Sequence, residues 1–235
     1  MKTVLLILAN ILTISVTLSA QLVVENPAIV EQNQQELKIV KIVLYKDSTV
    51  VNFSVENKLA QGGWYCTDRN TTIDDPQTGV KYSLLKARGI PYCPAVHNFM
   101  KIGEVLNFEL IFPGIQQGIR LINITENCTQ ACFSFKGVIL DIKLNRDIKL
   151  YTKGVELYAS NKMTEAIDCF TQVIEIIPEN PTHVYGYSYY NLIKIFAGKN
   201  DKPTARFWLE QLEKSALPDK QYFIDALKKE GINLK

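Results

Sequence analysis

The chain has 235 residues, enough for one large domain or two modest ones, and a formal net charge of only +2. A chain this close to neutrality lacks the basic surface that nucleic-acid binding requires, so we expect no nucleic-acid partner. Length and charge therefore exclude one class of partner without naming a ligand.

The first 20 residues predict a cleavable signal peptide. Lys2 supplies a positive charge, residues 4–18 are nearly all apolar, and Ala20 provides the small residue that signal peptidase needs. The alternative is a retained membrane anchor, but the apolar run is short of the roughly 20 residues of a spanning helix, and no basic cluster follows it. We expect an exported protein, periplasmic or secreted, that begins near Gln21 with a net charge of +1. No second apolar run of spanning length follows, so we expect no integral membrane span after cleavage.

The next part of the chain, residues 36–142, has the pattern of a β-domain, preceded by a polar lead-in segment at 21–35. From Leu37 onward, two β-branched runs flank a polar turn at 46–48 and predict a hairpin. Seven or eight short strands at this spacing predict an antiparallel sandwich. The further strands are predicted at 64–66, 71–73, 80–85, 104–112, 118–124 and 132–140.

Four of the five cysteines lie in this part: Cys66, Cys93, Cys128 and Cys132. In an exported protein they predict disulfides. Three pairings are possible, of which proximity favours Cys128–Cys132 and, by elimination, Cys66–Cys93. The alternative is a zinc site with four thiolate ligands, but the chain has no C-x2-C pair here and thiolates oxidise outside the cytosol.

A family resemblance rests on three stretches of this part, STVVNFSVENKLAQGGWYCTDRNT, DPQTGVKYSLLKARGIPYCP and GEVLNFELIFPGIQQGIRLINITENCTQACFSFKGV. Together they resemble an immunoglobulin-like domain found at the front of exported proteins of Bacteroidetes bacteria, where it commonly precedes a tetratricopeptide segment or another domain. The resemblance covers residues 36–141 and includes strand order, turn motif and cysteine positions. It implies an accessory β-sandwich and carries no catalytic motif.

After the last predicted strand, the hydrophobic period becomes helical. Gly154, Ala166, Phe170 and Pro178 stand at the spacing of a tetratricopeptide repeat, which predicts a first repeat over 147–180. In such a repeat the small residues let two helices approach, the aromatic ring fills the gap between them, and proline ends the second helix.

A second repeat is predicted over 186–219, and an amphipathic helix over 219–231 is expected to cap the array. Ile193 stands where the first repeat has Gly154, a departure from the pattern. The predicted fold is therefore α+β with two domains, an immunoglobulin-like sandwich followed by a short tetratricopeptide-like helical array at 143–235. Because two repeats are fewer than the three usually needed, we expect one end of the array to pack against the sandwich.

No group of residues predicts an enzyme, a cofactor or a metal site. The two histidines, His97 in a predicted loop and His183 at a helix start, have no partner at metal-ligand spacing, and no catalytic motif is present. Cys169, on the second predicted helix, is interpreted either as a buried structural thiol or as the site of an intermolecular disulfide.

The candidate binding surface is the groove lined by the first helix of each repeat, which takes peptides in tetratricopeptide arrays. Tyrosine suits such a surface because its ring is broadly apolar and its hydroxyl tolerates water. Alternatively, the tyrosines pack against the β-domain or one another. The repeat register assigns to the groove Tyr151, Val155, Tyr158, Tyr187, Tyr190 and Lys194.

The sequence thus predicts a non-enzymatic, exported interaction module that binds a protein or an extended peptide, with the β-sandwich as support. The alternative is an accessory protein of cell-envelope assembly or carbohydrate handling, which would bind through the sandwich itself.

Overall fold

The structure, a computed structural model, describes residues 22–234, so the predicted signal peptide lies outside the described residues. Twelve strands precede five helices in this part of the chain. Within it, none of the helices combines the length and apolar character needed to cross a bilayer. The strands are Leu22–Glu25 (β1), Ile29–Gln32 (β2), Leu37–Leu44 (β3), Ser48–Glu56 (β4), Trp64–Tyr65 (β5), Thr71–Asp74 (β6), Lys81–Ser83 (β7), Lys86–Arg88 (β8), His97–Asn98 (β9), Val105–Pro113 (β10), Leu121–Glu126 (β11) and Ser134–Ile139 (β12). The helices are Ile142–Ala159 (α1), Met163–Ile174 (α2), His183–Gly198 (α3), Lys202–Lys214 (α4) and Lys220–Lys229 (α5).

The β-part consists of two five-stranded antiparallel sheets and a short ribbon. One sheet has the order β1-β3-β4-β10-β8 and the other the order β2-β12-β11-β6-β7, while β5 and β9 form the ribbon. Buried side chains of both sheets belong to one hydrophobic cluster, which places the core between them. The predicted antiparallel β-domain is therefore confirmed at this level.

The hairpin of β3 and β4 shows why the sequence forms these strands. In β4 every second side chain is buried, from Thr49 through Phe53 to Val55, as a strand with one face on a core requires. Phe53 stacks on Phe108 of β10, with ring centroids 5.1 Å apart. The hairpin predicted around residues 46–48 is confirmed.

The segment at 21–35, interpreted as a polar lead-in, is instead part of the β-domain where the structure describes it. Strand β1 pairs with β3 in one sheet, and β2 pairs with β12 in the other. Each strand has four residues; Val24 of β1 is buried in the core, and Ile29 of β2 is partly buried against it. Such short strands lack the repeated alternation from which a strand is predicted.

The helices form two layers. Each helix packs against the next, and α1 contacts α3 while α3 contacts α5, so these three share one layer and α2 and α4 the other. Gly154 of α1 lies against the ring of Phe170 on α2, the close approach that the spacing predicted. The helical part has its own hydrophobic cluster, separate from that of the β-part.

The two parts meet through polar contacts, not through a shared apolar core. Asn145 of α1 accepts a hydrogen bond from the Ala28 amide at 2.6 Å and donates to the Ile139 carbonyl at 2.8 Å. Asp141 caps α1 by accepting from the Leu144 amide at 2.9 Å. Only two residues separate β12 from α1, so the helix is fixed where it leaves the sheet.

Candidate functional site

The residues assigned to the predicted groove lie on α1 and α3, which form one layer with α5. Tyr151 on α1 and Tyr187 on α3 lie with their ring centroids 6.1 Å apart. Tyr187 in turn contacts the edge of the Phe223 ring on α5, at 4.9 Å between centroids. The layer therefore has a continuous row of aromatic rings across its three helices.

Helix α5 is held in this row by a close approach of backbone and ring. A Cβ built on Gly186 of α3 would lie 2.0 Å from the ring of Phe223, which shows that the phenyl group occupies the space left by the missing side chain. Phe223 is fully buried, whereas its neighbour Tyr222 is 60% exposed. Tyr187 and Tyr222 both contact the Phe223 ring, at 4.9 and 5.1 Å between centroids, and the Tyr222 hydroxyl raises the pKa of Tyr187.

Tyr222 is the site residue that sequence reasoning missed. The sequence predicted an amphipathic capping helix over 219–231 but did not assign Tyr222 to the binding face. Consecutive residues of an α-helix are about 100° apart, so when Phe223 faces the core Tyr222 must turn away from it. The spacing of the apolar residues could have shown this. Phe223 and Leu227 are both buried and four residues apart, so they lie on one face of the helix, and Tyr222 does not share that spacing.

At the C-terminal end of α5, three polar side chains connect this helix to α3. The ammonium group of Lys194 lies 2.7 Å from the carboxylate of Glu230, and the Tyr190 hydroxyl donates to the same carboxylate. These two contacts lower the pKa of Glu230, with Lys194 as the larger cause. Tyr190 and Lys194 are thus both bound to Glu230. Tyr187 and Tyr222 form the more open part of the face.

The remaining predicted groove residues lie on α1. Val155 is exposed and Tyr158 is half-buried against the helical core. Burial raises the pKa of Tyr151, which contacts Phe170 as well as Tyr187. The structure thus places Tyr151 and Tyr187 next to each other in one row. This contact is also an example of the alternative interpretation, in which the tyrosines pack against one another.

The two predicted disulfides are present. Cys66 is bonded to Cys93 and Cys128 to Cys132, while Cys169 is a free, buried thiol. Among the described residues no group of three or more His, Cys, Asp or Glu side chains could hold a metal ion.

His97 lies in β9, not in a loop as predicted. Its Nε2 is 3.4 Å from a carboxylate oxygen of Glu104. His183 begins α3, as predicted, and pairs with Asp219. Each histidine thus lies beside a single carboxylate.

A cavity of about 790 Å³ opens where the β-part meets α1. Arg120 and Asp141 are among its lining residues, and the Arg120 guanidinium donates to the Asp141 carboxylate from Nε at 2.9 Å and from Nη2 at 2.6 Å. The lining is otherwise mainly apolar and includes Leu22, Leu44, Tyr45, Ile115, Ile119 and Ile142. The ion pair ties the cap of α1 to the β-part.

No family model, curated protein or solved structure matches the chain.

Proposed function

We propose that this chain is an exported, non-enzymatic interaction protein that binds an extended peptide or a protein segment on the face of α1, α3 and α5. In this proposal the β-part is an immunoglobulin-like sandwich that serves as support. The helices form a tetratricopeptide-like array in which α1 and α3 are the first helices of the two repeats, and α5 takes the position that the first helix of a third repeat would have.

The observation that carries the proposal is the aromatic row across the three helices. Tyr187 and Tyr222 both contact the Phe223 ring, and 37% and 60% of their surfaces are exposed. Their rings offer apolar area to a peptide chain, and their hydroxyls can bond to its backbone amides and carbonyls. Gly186 beneath Phe223 fixes α5, so the row is organised before a ligand arrives.

A fixed row of this kind suits an extended segment more than a small molecule. Three neighbouring helices lie about 8–10 Å apart axis to axis, so the row spans on the order of 20 Å. An extended chain advances about 3.3 Å per residue, and six or seven of its residues would cross the face.

The test uses random linear peptides displayed on phage and selected on the immobilised chain beginning at Gln21. We expect selected peptides to bind at least tenfold more weakly to the Tyr187→Ser, Tyr222→Ser double variant. Tyr45→Ser is the matched control, because Tyr45 is 44% exposed and lies in the turn between β3 and β4. Tyr190 is left intact because it holds Glu230.

Equal binding by the double variant and the Tyr45→Ser control would refute the groove. Recognition would then move to the β-part, which is the alternative of an envelope-assembly or carbohydrate-handling accessory protein. A pull-down from the cell-envelope extract with the same three proteins would show whether the natural partner follows the peptides.

A further inference from the structure

The cavity where the β-part meets α1 is formed mainly by three segments that are distant in the chain. They are the turn between β3 and β4, the loop between β10 and β11, and the first turn of α1. The turn and the loop pack closely, since a Cβ built on Gly114 would overlap the Lys46 carbonyl group. The ion pair of Arg120 and Asp141 joins the loop to the helix. The walls of the cavity are therefore fixed before a ligand arrives.

The lining of this cavity includes both buried and exposed apolar side chains. Ile115 and Leu140 are buried and belong to the core of the β-part, while Leu22, Tyr45 and Ile142 are 39%, 44% and 52% exposed. Exposed apolar side chains in a hollow gain free energy from contact with an apolar ligand. The volume of about 790 Å³ lies within the roughly 300–1,000 Å³ of small-molecule sites. The hollow thus has the size and the apolar character of a ligand site.

One cation of the lining has no ion pair among the described residues. The lining contains three basic side chains and one acidic side chain, that of Asp141. Arg120 pairs with Asp141, and the ammonium group of Lys143 pairs with Asp147 of the same helix. Lys46 is exposed, and the aspartate that follows it in the chain is not part of the lining. The ion pairs therefore leave one positive charge in the lining for a ligand to neutralise.

We propose that this cavity binds a single-chain fatty acid, with the alkyl chain against the apolar lining and the carboxylate at Lys46. The lining favours an alkyl chain over a planar ring, because Tyr45 is the one aromatic side chain among its described residues. One unpaired ammonium group matches one carboxylate. A ligand with several phosphate groups would leave most of its charge without a partner.

Arg120 offers the carboxylate a second donor. Its Nε and Nη2 donate to Asp141, and its Nη1 has no hydrogen-bond partner among the described residues. The Arg120 side chain is 46% exposed, so a ligand can reach this group. A fatty acid can thus bind without breaking the ion pair that caps α1.

The cavity is separate from the proposed peptide face. Helix α1 contributes Ile142 and Lys143 of its first turn to the cavity, and it contributes Tyr151 to the peptide face more than two turns later. The fatty-acid site therefore does not rest on the proposed function, and either site can be lost without the other.

The test titrates dansyl-labelled undecanoic acid and its methyl ester, both below their micellar concentrations, into the chain beginning at Gln21. Residues 1–20 are omitted because their apolar run would bind the probe by itself. Binding transfers the probe from water to an apolar site, so we expect its emission to rise and to shift to shorter wavelength. Unlabelled dodecanoate should displace the labelled acid.

Ile142→Asp tests the apolar part of the site. It should weaken binding of the acid and of the ester by about tenfold or more, because a charge replaces apolar contact area. Aspartate is favourable in the first turn of a helix, so α1 should stay folded. Ile102→Asp is the control, because Ile102 is 62% exposed and lies between β9 and β10, outside the lining.

Lys46→Glu separates the charge from the apolar contacts. Binding of the acid should weaken by about threefold or more, while binding of the uncharged methyl ester should stay unchanged. Lys38→Glu, at the other end of β3, is the control and should affect neither ligand.

The fatty-acid site is refuted if the labelled acid is not bound, or if Ile142→Asp binds it as the Ile102→Asp control does. It is also refuted if Lys46→Glu leaves the affinity for the acid unchanged, or weakens the acid and the ester equally. Loss of self-association in the ultracentrifuge by Ile142→Asp, with probe binding intact, would show instead that the cavity joins two copies of the chain.

Discussion

Gly154 lies so close to Phe170 that a Cβ on the glycine would stand 2.7 Å from the phenyl ring. The ring is completely buried and contacts Tyr151, so it has no free space into which to withdraw. Helix α1 can thus approach α2 this closely only because Gly154 has no side chain. The position of Tyr151 on the candidate face depends on the same approach.

Gly154→Ala should lower the free energy of unfolding by about 1 kcal/mol. Overpacking a core costs about 1–3 kcal/mol, against which the better helix propensity of alanine restores about 1 kcal/mol at most. The control is Gly198→Ala at the end of α3, where no atom lies within 4 Å of the added Cβ. Urea midpoints give the comparison, and equal midpoints for the two variants would show that the ring can move.

Gly186→Ala tests the docking of α5 in the same way. The added Cβ would overlap the Phe223 ring, so we expect α5 to detach and Tyr222 to leave the aromatic row. Hydrogen exchange of the amides in α5 should then become faster than in the wild-type protein, while exchange in the β-sheets stays unchanged. Unchanged protection of α5 would mean that Lys194 and Glu230 suffice to hold it.

Local patterns predicted the elements that are long or have a strong spacing signal. The alternation in β3 and β4 and the spacing of Gly154 to Phe170 are both readable within about 20 residues, and both gave the observed contacts. The disulfide pairing followed from proximity along the chain, since Cys128 and Cys132 are four residues apart.

Features that depend on distant partners were not predictable. Strands β1 and β2 exist because they pair with β3 and β12, and nothing in their four-residue sequences reveals those partners. The expected packing of helices on the sandwich turned out to be polar. Asn145 makes that contact by bonding to Ala28, 117 residues earlier in the chain.

Tyr185→Phe should destabilise the protein by about 1–3 kcal/mol. The Tyr185 hydroxyl donates to a carboxylate oxygen of the fully buried Asp147 at 2.8 Å, and removing a donor from a buried charge carries a cost of that size. Tyr45→Phe, on an exposed ring, is the neutral control. Asp147 also pairs with Lys143 and Arg146. If both variants unfold at the same urea concentration, then these two ion pairs satisfy Asp147 without Tyr185.

Asp141→Ala should cost about 1 kcal/mol at neutral pH, because it removes the cap of α1. Burial by itself raises the pKa of Asp141, but donation from the Leu144 amide and the Arg120 guanidinium outweighs it and lowers the pKa. A carboxyl whose pKa is lower in the folded state stabilises above its unfolded pKa, about 3.9, and loses this effect as the pH falls below that value.

The difference between wild type and Asp141→Ala should therefore shrink when the pH is taken from 6 to 3. Asp168→Ala on α2 is the control, since Asp168 is exposed and its side chain bonds to Gln172 within the same helix. A difference that stays constant over this range would show that Asp141 acts through shape and not through its charge.

Alkylation of the protein in denaturant without reductant should label one cysteine, Cys169, and alkylation after reduction should label all five. In the folded protein Cys169 should react slowly, because it is buried and burial raises the pKa of its thiol. Cys169→Ala is the control, and it should leave no labelled residue before reduction. Five labelled cysteines before reduction, released together with zinc, would replace the disulfides with a thiolate metal site.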